Sequence, residues 1–371
     1  MRFGIDAHIV GTGKGGVERF LREMCVLLPQ IGQQHRFVIF ASKKAIRDGE
    51  FSELKRAKLV AMPFSKPALE RALVLPALAR IHRLDALLVQ RIAPWPKWGF
   101  RVVLTVHDLT PIKLASQYGS LRDVFVRLLT RVSVLASDLV LTPCEAVAEE
   151  VATYAGQDRS KFVAYFNGVD RKHFAPSVST GKKESSQGIE SSYLLACGAI
   201  ERRKCVETLI KAYAEFGNSR PRHLVVIGSV RDPDYAAELR SLVSSVGLAE
   251  AVDFRGFVTE QELVDLYRNA TVFVAASSDE GFNMPVLEAM ACQVPVICSD
   301  IAPHRELFAG AAAFFKPNDV ASLTAVLRRV LADPDQQSSL KLAGAQRACM
   351  FTWEAAAQRV LGAMERSVAG Q

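Results

Sequence analysis

The feature that most constrains the fold of this chain is an alternation that runs twice. Compact apolar runs of strand length, RFGIDAHIV, RFVIFAS, LDALLVQ, RVVLTVHDL and SDLVLTPC, succeed one another through the first half. Segments of helical period lie between several of them. VERFLREMCVLLPQIG carries apolar residues at Val17, Phe20, Leu21, Met24, Leu27 and Leu28, and LRDVFVRLLTRVSVLA follows the fourth run. Strands alternating with helices specify a parallel, doubly wound α/β sheet, because a parallel connection needs a crossover long enough to hold a helix.

From Pro176 to Ser192 the pattern stops. PSVSTGKKESSQGIESS has no apolar periodicity and is rich in Ser, Lys and Gly, which reads as an interdomain linker. The alternation then restarts with SYLLACG, HLVVIGS, AVDFRGF, TVFVAAS and PVICSD, separated by VETLIKAYAEF, DYAAELRSLVSSVG and LVDLYRNA. A chain of 371 residues exceeds the size at which one core keeps growing. Two domains are therefore expected, over 1–175 and 193–350, with an amphipathic helix closing the chain over 351–371. Two doubly wound domains facing each other make a cleft, and such sheets bind ligands outside the carboxyl ends of their strands.

Charge narrows the partners. The net charge is +7, yet residues 1–180 hold 26 Lys and Arg against 16 Asp and Glu, while residues 181–371 hold 20 against 23. A basic half attracts phosphate-rich partners such as an anionic membrane surface, nucleic acid or a polyprenyl diphosphate; it equally reads as a solvated basic surface. The opening stretch, broken by Asp6 and His8, does not read as a signal peptide, and no window is apolar enough for a membrane span. The seven cysteines include no C-x-x-C pair and fall mostly in apolar runs, which suits reduced core thiols in the cytosol rather than disulfides or zinc.

The chemistry concentrates in SSDEGFNMPVLEAMACQVPVICSD, residues 277–300. TVFVAAS reads as a buried strand, so SSDEGFN lies at its carboxyl end, and Pro285 suits the first turn of the helix that follows. Backbone N–H groups of Phe282, Asn283 and Met284 then form an anion site at a helix start. Glu280 lies just before that site and Glu288 one turn into the helix, where carboxylates accept from vicinal hydroxyls. Because Glu280 sits in a loop, its removal is expected to cost little stability.

This stretch resembles the signature of the family 4 retaining glycosyltransferases, which have the GT-B architecture of two Rossmann-like domains. The resemblance implies that Glu280 contacts the donor sugar and Glu288 the ribose of its nucleotide. Asn283 stands where the family commonly has a second glycine. CGAIERRKCVETLIKA resembles the segment whose basic residue contacts the donor diphosphate, implying that role for Lys204 with Arg203 beside it. Ala199 follows Gly198 where the family often has arginine; alone, ERRK would be an ordinary exposed helix start. The loop GTGKGG matches the family's glycine loop, implying contact of Gly15 and Gly16 with the diphosphate and making Glu18 an acceptor-side candidate. By itself that loop could equally open a dinucleotide fold.

His107, at the end of RVVLTV and followed by Asp108, corresponds to a histidine that binds the transferring sugar. Asn167, Gly168 and Asp170 in FNGVD match a motif before the linker, and equally read as an Asn-Gly turn shaping a hinge. Gly256 and Val258 match the place where backbone groups meet the base. FTWE resembles the start of a terminal helix that crosses back to the first domain.

The implied activity is transfer of mannose or a related hexose, with retention, from a nucleotide diphosphate sugar to a glycan or lipid-diphosphate-linked acceptor in surface-polysaccharide or O-antigen assembly. GDP-sugars are favoured over UDP-sugars, no further cofactor or nucleic acid is expected, and the place of action is the cytoplasm or the inner face of its membrane. Asp232-Pro-Asp234 and Asp333-Pro-Asp335 read as proline-assisted helix starts rather than D-x-D metal sites, so metal independence is expected. Two other classes remain: a non-catalytic nucleotide-binding protein of the same fold, and a dinucleotide oxidoreductase, for which HRFVIFASKK offers no acid closing the second strand.

Overall fold

The structure, a computed structural model, describes residues 1–13, 15–62, 74–94, 99–110, 112–113, 121–176, 192–217 and 221–370, with only the backbone of 121–123. The expected linker therefore lies outside the described residues apart from its ends. Contacts divide the chain into two compact units, Met1–Gly168 with Thr352–Gln371, and Val169–Phe351.

The first unit is built on a seven-stranded sheet, β1 (Arg2–Asp6), β2 (Arg36–Ser42), β3 (Ala57–Met62), β4 (Ala86–Gln90), β5 (Arg101–Thr105), β6 (Leu139–Thr142) and β7 (Phe162–Ala164). Every pair is parallel and the order is β3-β2-β1-β4-β5-β6-β7. Its described helices are α1 (Gly16–Ile31), α2 (Lys43–Arg47), α3 (Leu75–Ile81), α4 (Leu121–Ala136) and α5 (Glu145–Ala155). The apolar stripe of α1 buries Phe20, Leu21, Met24 and Leu28, while β4 is buried along its whole length, as a central parallel strand covered on both faces must be.

The second unit has a six-stranded parallel sheet, β8 (Tyr193–Cys197), β9 (His223–Ile227), β10 (Val252–Gly256), β11 (Val272–Ala275), β12 (Val296–Ser299) and β13 (Ala313–Phe315), in the order β10-β9-β8-β11-β12-β13. Its helices are α6 (Val206–Ala214), α7 (Pro233–Ser245), α8 (Glu260–Asn269), α9 (Met284–Ala291), α10 (Ala302–Phe308), α11 (Val320–Ala332) and α12 (Pro334–Cys349). Both D-P-D stretches are helix starts: Asp232 accepts from Tyr235 N–H and Asp333 from Gln336 N–H, each followed by proline in the first turn.

The last helix, α13 (Trp353–Ala369), belongs to the first unit. Glu365 meets His35 at 2.7 Å and the Arg359 guanidinium lies 4.6 Å over the Phe166 ring. Gly168 lets the chain pass: a Cβ there would lie 2.2 Å from the Trp353 nitrogen. The unit boundary departs from the expected one. Residues 169–175 pack with the second unit, where Val169 N–H donates to Phe351 O at 3.1 Å, the Phe174 ring meets Tyr267, and Ala175 O accepts from Arg268 at 2.7 Å.

In each sheet the strand order reverses once, between β1 and β4 and between β8 and β11. At such a switch point neighbouring crossovers leave on opposite faces and open a crevice at the carboxyl strand ends.

Candidate functional site

At the switch point of the second unit, β11 delivers residues 277–283 and β8 delivers 198–204. Lys204 ends a single 3₁₀ turn, Arg202–Lys204, and its stem folds back over Gly198, where a Cβ would lie 3.0 Å from Lys204 Cε. Gly228, after β9, stacks backbone on backbone with that loop: a Cβ there would lie 1.9 Å from Gly198 O. The two glycines let the strand-end loops close on one another.

Glu280 is 6% exposed. Its Oε1 accepts from Lys204 Nζ at 2.5 Å and Ser277 Oγ at 2.7 Å, and its Oε2 accepts from Arg203 at 2.7 Å. Burial alone would raise this carboxyl's pKa, but the Lys204 and Arg203 charges outweigh it and hold the group well below the usual carboxylate range. Arg203 also donates to Asp279 O at 3.1 Å and pairs with Glu201 at 2.7 Å. Sequence reading brought Glu280, Lys204 and Arg203 to one place, and the structure joins them in one ion network. It also corrects the expectation that removing Glu280 costs little stability, because the largely buried Lys204 would lose its carboxylate, while Arg203 would lose one carboxylate and keep Glu201.

Helix α9 begins beside this network. Asn283 precedes it with φ 69° and ψ 65°, the left-handed region, which Asn and Gly adopt more readily than other residues. The backbone N–H groups of Phe282, Asn283 and Met284 have no partner among the described residues, as an anion site at a helix start requires. Glu288, one turn in, is buried and accepts from Tyr267 at 3.0 Å. Gly256 follows a register shift in β10 at φ 68°, and its carbonyl accepts from Gly228 N–H at 2.8 Å. Val258 is half-buried beside Phe257, which is 87% exposed.

Sequence reading missed His304. It lies fully buried in α10, with Nδ1 2.8 Å from Ser299 O and Nε2 3.0 Å from Asn283 Nδ2. A lone histidine after PVICSD carries no local signal, because its partner stands 21 residues upstream.

The switch point of the first unit is built differently. After β1, Gly13 and Gly15 take φ 72° and 58°, and Gly16 opens α1. A Cβ at Gly13 or Gly15 would meet nothing within 4 Å, so conformation rather than crowding within the unit requires glycine there. Glu18 is buried beneath the loop, accepting from Gly11 N–H at 2.9 Å and Thr12 N–H at 3.2 Å and pairing with Arg22 at 2.7 Å. Its carboxylate thus organises the loop, a use that the acceptor-side expectation did not include.

His107 is held at both nitrogens. Nε2 lies 2.8 Å from Gln90 Oε1 and Nδ1 2.9 Å from the Tyr165 hydroxyl. A carbonyl oxygen only accepts, so Nε2 carries the proton and Nδ1 accepts from Tyr165. Burial, aided by the Arg91 charge, pushes its pKa down to about 3, which keeps the ring neutral at neutral pH. That geometry suits packing and positioning better than proton transfer.

Asp108 accepts from Thr110 N–H at 3.1 Å. Asn167 is buried with its Oδ1 unpartnered among the described residues, and Asp170 accepts from the N–H groups of Lys172 and His173. Gly168 answers to the terminal helix start rather than to a ligand. The structure adds one pair that the sequence did not announce: Asp6, fully buried, takes His8 Nδ1 at 2.7 Å.

Residues 14–173 match Glycosyltransferase Family 4 and residues 181–347 match Glycosyl transferases group 1. The chain is 31% identical over 232 residues to the O-antigen chain mannosyltransferase RfbU of Salmonella typhimurium, an alignment covering 62% of this chain and 61% of that protein. Its fold is shared with the sucrose-phosphate synthase of Thermosynechococcus elongatus, at TM-score 0.80, 21% identity and full coverage of both chains. It is shared too with Anabaena Alr3699/HepE in complex with UDP-glucose, at TM-score 0.76, 16% identity and full coverage of both chains. With two parallel-sheet units of GT-B type and matches to both halves of the family, the chain belongs to the group 1, family 4 glycosyltransferases.

Proposed function

We propose that the protein transfers mannose or a related hexose, with retention, from a nucleotide diphosphate sugar to a lipid-linked saccharide of a surface polysaccharide. The observation that carries this reading is the second switch point, where Lys204 and Arg203 stand beside the three N–H groups opening α9 that have no partner among the described residues. Transfer requires that the charge growing on the departing diphosphate be met by preorganised donors. Lys204, Arg203 and the α9 N–H groups supply those donors in this proposal, with no divalent ion needed. Glu280 keeps both cations in place until the diphosphate competes for them, and Glu288 accepts from the ribose.

The similarity to a mannosyltransferase favours GDP-mannose, and the UDP-glucose bound by HepE makes a UDP-sugar the second reading. Thermal unfolding with each of GDP, GDP-mannose, UDP, UDP-glucose and NAD separates them. A ligand near a hundred times its Kd adds about 2.7 kcal/mol. Stabilisation by NAD alone would overturn the proposal, and transfer abolished by chelator and restored by a divalent cation would overturn its metal-free form.

A lipid-linked acceptor implies docking at an anionic bilayer, and α4 supports it. No described helix is long and apolar enough to cross a membrane. Yet Val124, Phe125, Leu128, Val132 and Leu135 are all exposed and fall within an arc of about 100° on the helix, with exposed Arg131 on its flank. Sedimentation with phosphatidylglycerol vesicles should be lost in Phe125→Ser/Leu128→Ser, whereas equal sedimentation by both proteins would contradict this placement.

A further inference from the structure

Asn283 departs from the glycine expected at its position, and the structure gives its side chain a defined task. His304 settles the orientation of the amide. Ser299 O accepts only, so His304 Nδ1 carries the ring proton and Nε2 is left as an acceptor. Burial lowers the pKa of His304, in keeping with a neutral ring. The Asn283 atom 3.0 Å from Nε2 must therefore be the NH2 group, and the amide oxygen faces away from His304.

That oxygen is buried and has no hydrogen-bond partner among the described residues, and the residue as a whole is only 6% exposed. An orphaned buried acceptor is costly, so it calls for a donor that arrives from outside. Asn283 lines one cavity with Gly198, Lys204 and Ser277. Two of its lining residues, Lys204 and Ser277, already donate to the Glu280 carboxylate beside it.

We infer that Asn283 is a specificity-determining residue whose Oδ1 accepts a hydrogen bond from a hydroxyl of the donor sugar, with His304 as the residue that positions it. This rests on the proposed function, since it takes the ligand to be a nucleotide sugar. A glycine at 283 keeps the left-handed backbone and offers no acceptor, so the choice between the two residues is a choice about the sugar and not about the nucleotide.

Isothermal titration of the full-length protein with GDP and GDP-mannose, and with UDP and UDP-glucose, gives the factor by which the sugar changes affinity in each pair. In Asn283→Gly the affinity for the preferred nucleotide sugar should fall about tenfold, the worth of one hydrogen bond, while that of its nucleoside diphosphate stays within about twofold. His304→Gln should shift the same ratio in the same direction by less. An unchanged ratio in Asn283→Gly, or equal losses for both ligands, overturns the inference and leaves the proposed function standing. A wild-type protein that binds none of the four ligands overturns the proposed function and the inference with it.

Discussion

The two sheets reverse strand order in the same way, yet their switch points present different groups. In the second unit the crevice holds an ion network, Lys204, Arg203 and Glu201 around the buried carboxylate of Glu280. In the first unit a neutral chain runs from Thr105 through Gln90 and His107 to Tyr165, and the charged groups beside it, Asp6 with His8 and Glu18 with Arg22, are paired under the loop after β1. One topology thus supports two kinds of site, and the side chains at strand ends, not the strand order, decide which. Charges fit a diphosphate; a neutral, fixed surface fits a partner recognised by shape and hydroxyl groups.

The largest effect expected from breaking this contrast is at Glu280. Glu280→Ala leaves Lys204 and Arg203 beside each other without their shared carboxylate, a loss of about 3–5 kcal/mol for a broken buried pair. For a unit of this size that is on the order of 10 °C in melting temperature. Transfer should fall by about a hundredfold or more through the misplaced cations. A folded variant with wild-type melting temperature and turnover would remove the network from the account.

Glycines sharpen the comparison next. Gly228→Ala in the second unit drives a Cβ into Gly198 O at φ 144°, combining overlap with backbone strain for about 3 kcal/mol or more. Gly15→Ala in the first unit meets open space and bears only the strain of φ 58°, about 1–2 kcal/mol. Urea titration of both variants checks the order, and equal losses would contradict it.

Proton linkage gives the smallest effect. His107 titrates near 6.5 when unfolded and at about 3 when folded. Between those values the unfolded state binds the extra proton, so stability falls as pH falls from about 6.5, by at most about 1.4 kcal/mol per pH unit. Glu280 acts in a lower window: its contribution is full above its ordinary pKa of 4.5 and is lost only as pH falls through its depressed folded value. Denaturation at pH 7 and pH 5.5 therefore reports the histidines. His107→Gln should flatten part of that slope, with His304 and His82, whose pKa values burial also lowers, contributing to the rest, and an unaltered slope would place the ring's proton elsewhere.

What was legible in the sequence follows from range. The motif around Glu280 is local, so its strand end, helix start and acids could all be read from consecutive residues. Long, buried strands such as β2 and β4 announced themselves by unbroken apolar runs. Three strands did not. β3 is a half-exposed edge strand containing Lys58, and β7 and β13 are only three residues each, too short for a period to show. RFGIDAHIV also ends as a strand at Asp6, because the Asp6 carboxylate accepts from His8 N–H and the chain turns. The partners of the site residues were invisible for a different reason. Lys204 and Glu280 lie 76 positions apart, His107 and Tyr165 lie 58 apart, and only the folded sheets bring them together. Glu18 shows the remaining gap: an acid beside a glycine loop reads as a ligand contact until the loop's own N–H groups are seen to claim it.

The central claim is that the switch point of the second unit, with Lys204 and Arg203, and not that of the first, with His107, binds the donor's diphosphate. Isothermal titration of the preferred nucleoside diphosphate into wild type, Lys204→Met and His107→Gln tests it most directly. The account predicts that Lys204→Met loses affinity by about tenfold or more, the range of a charge-assisted hydrogen bond, while His107→Gln binds within about twofold of wild type. Loss of binding in His107→Gln with Lys204→Met unaffected would contradict it.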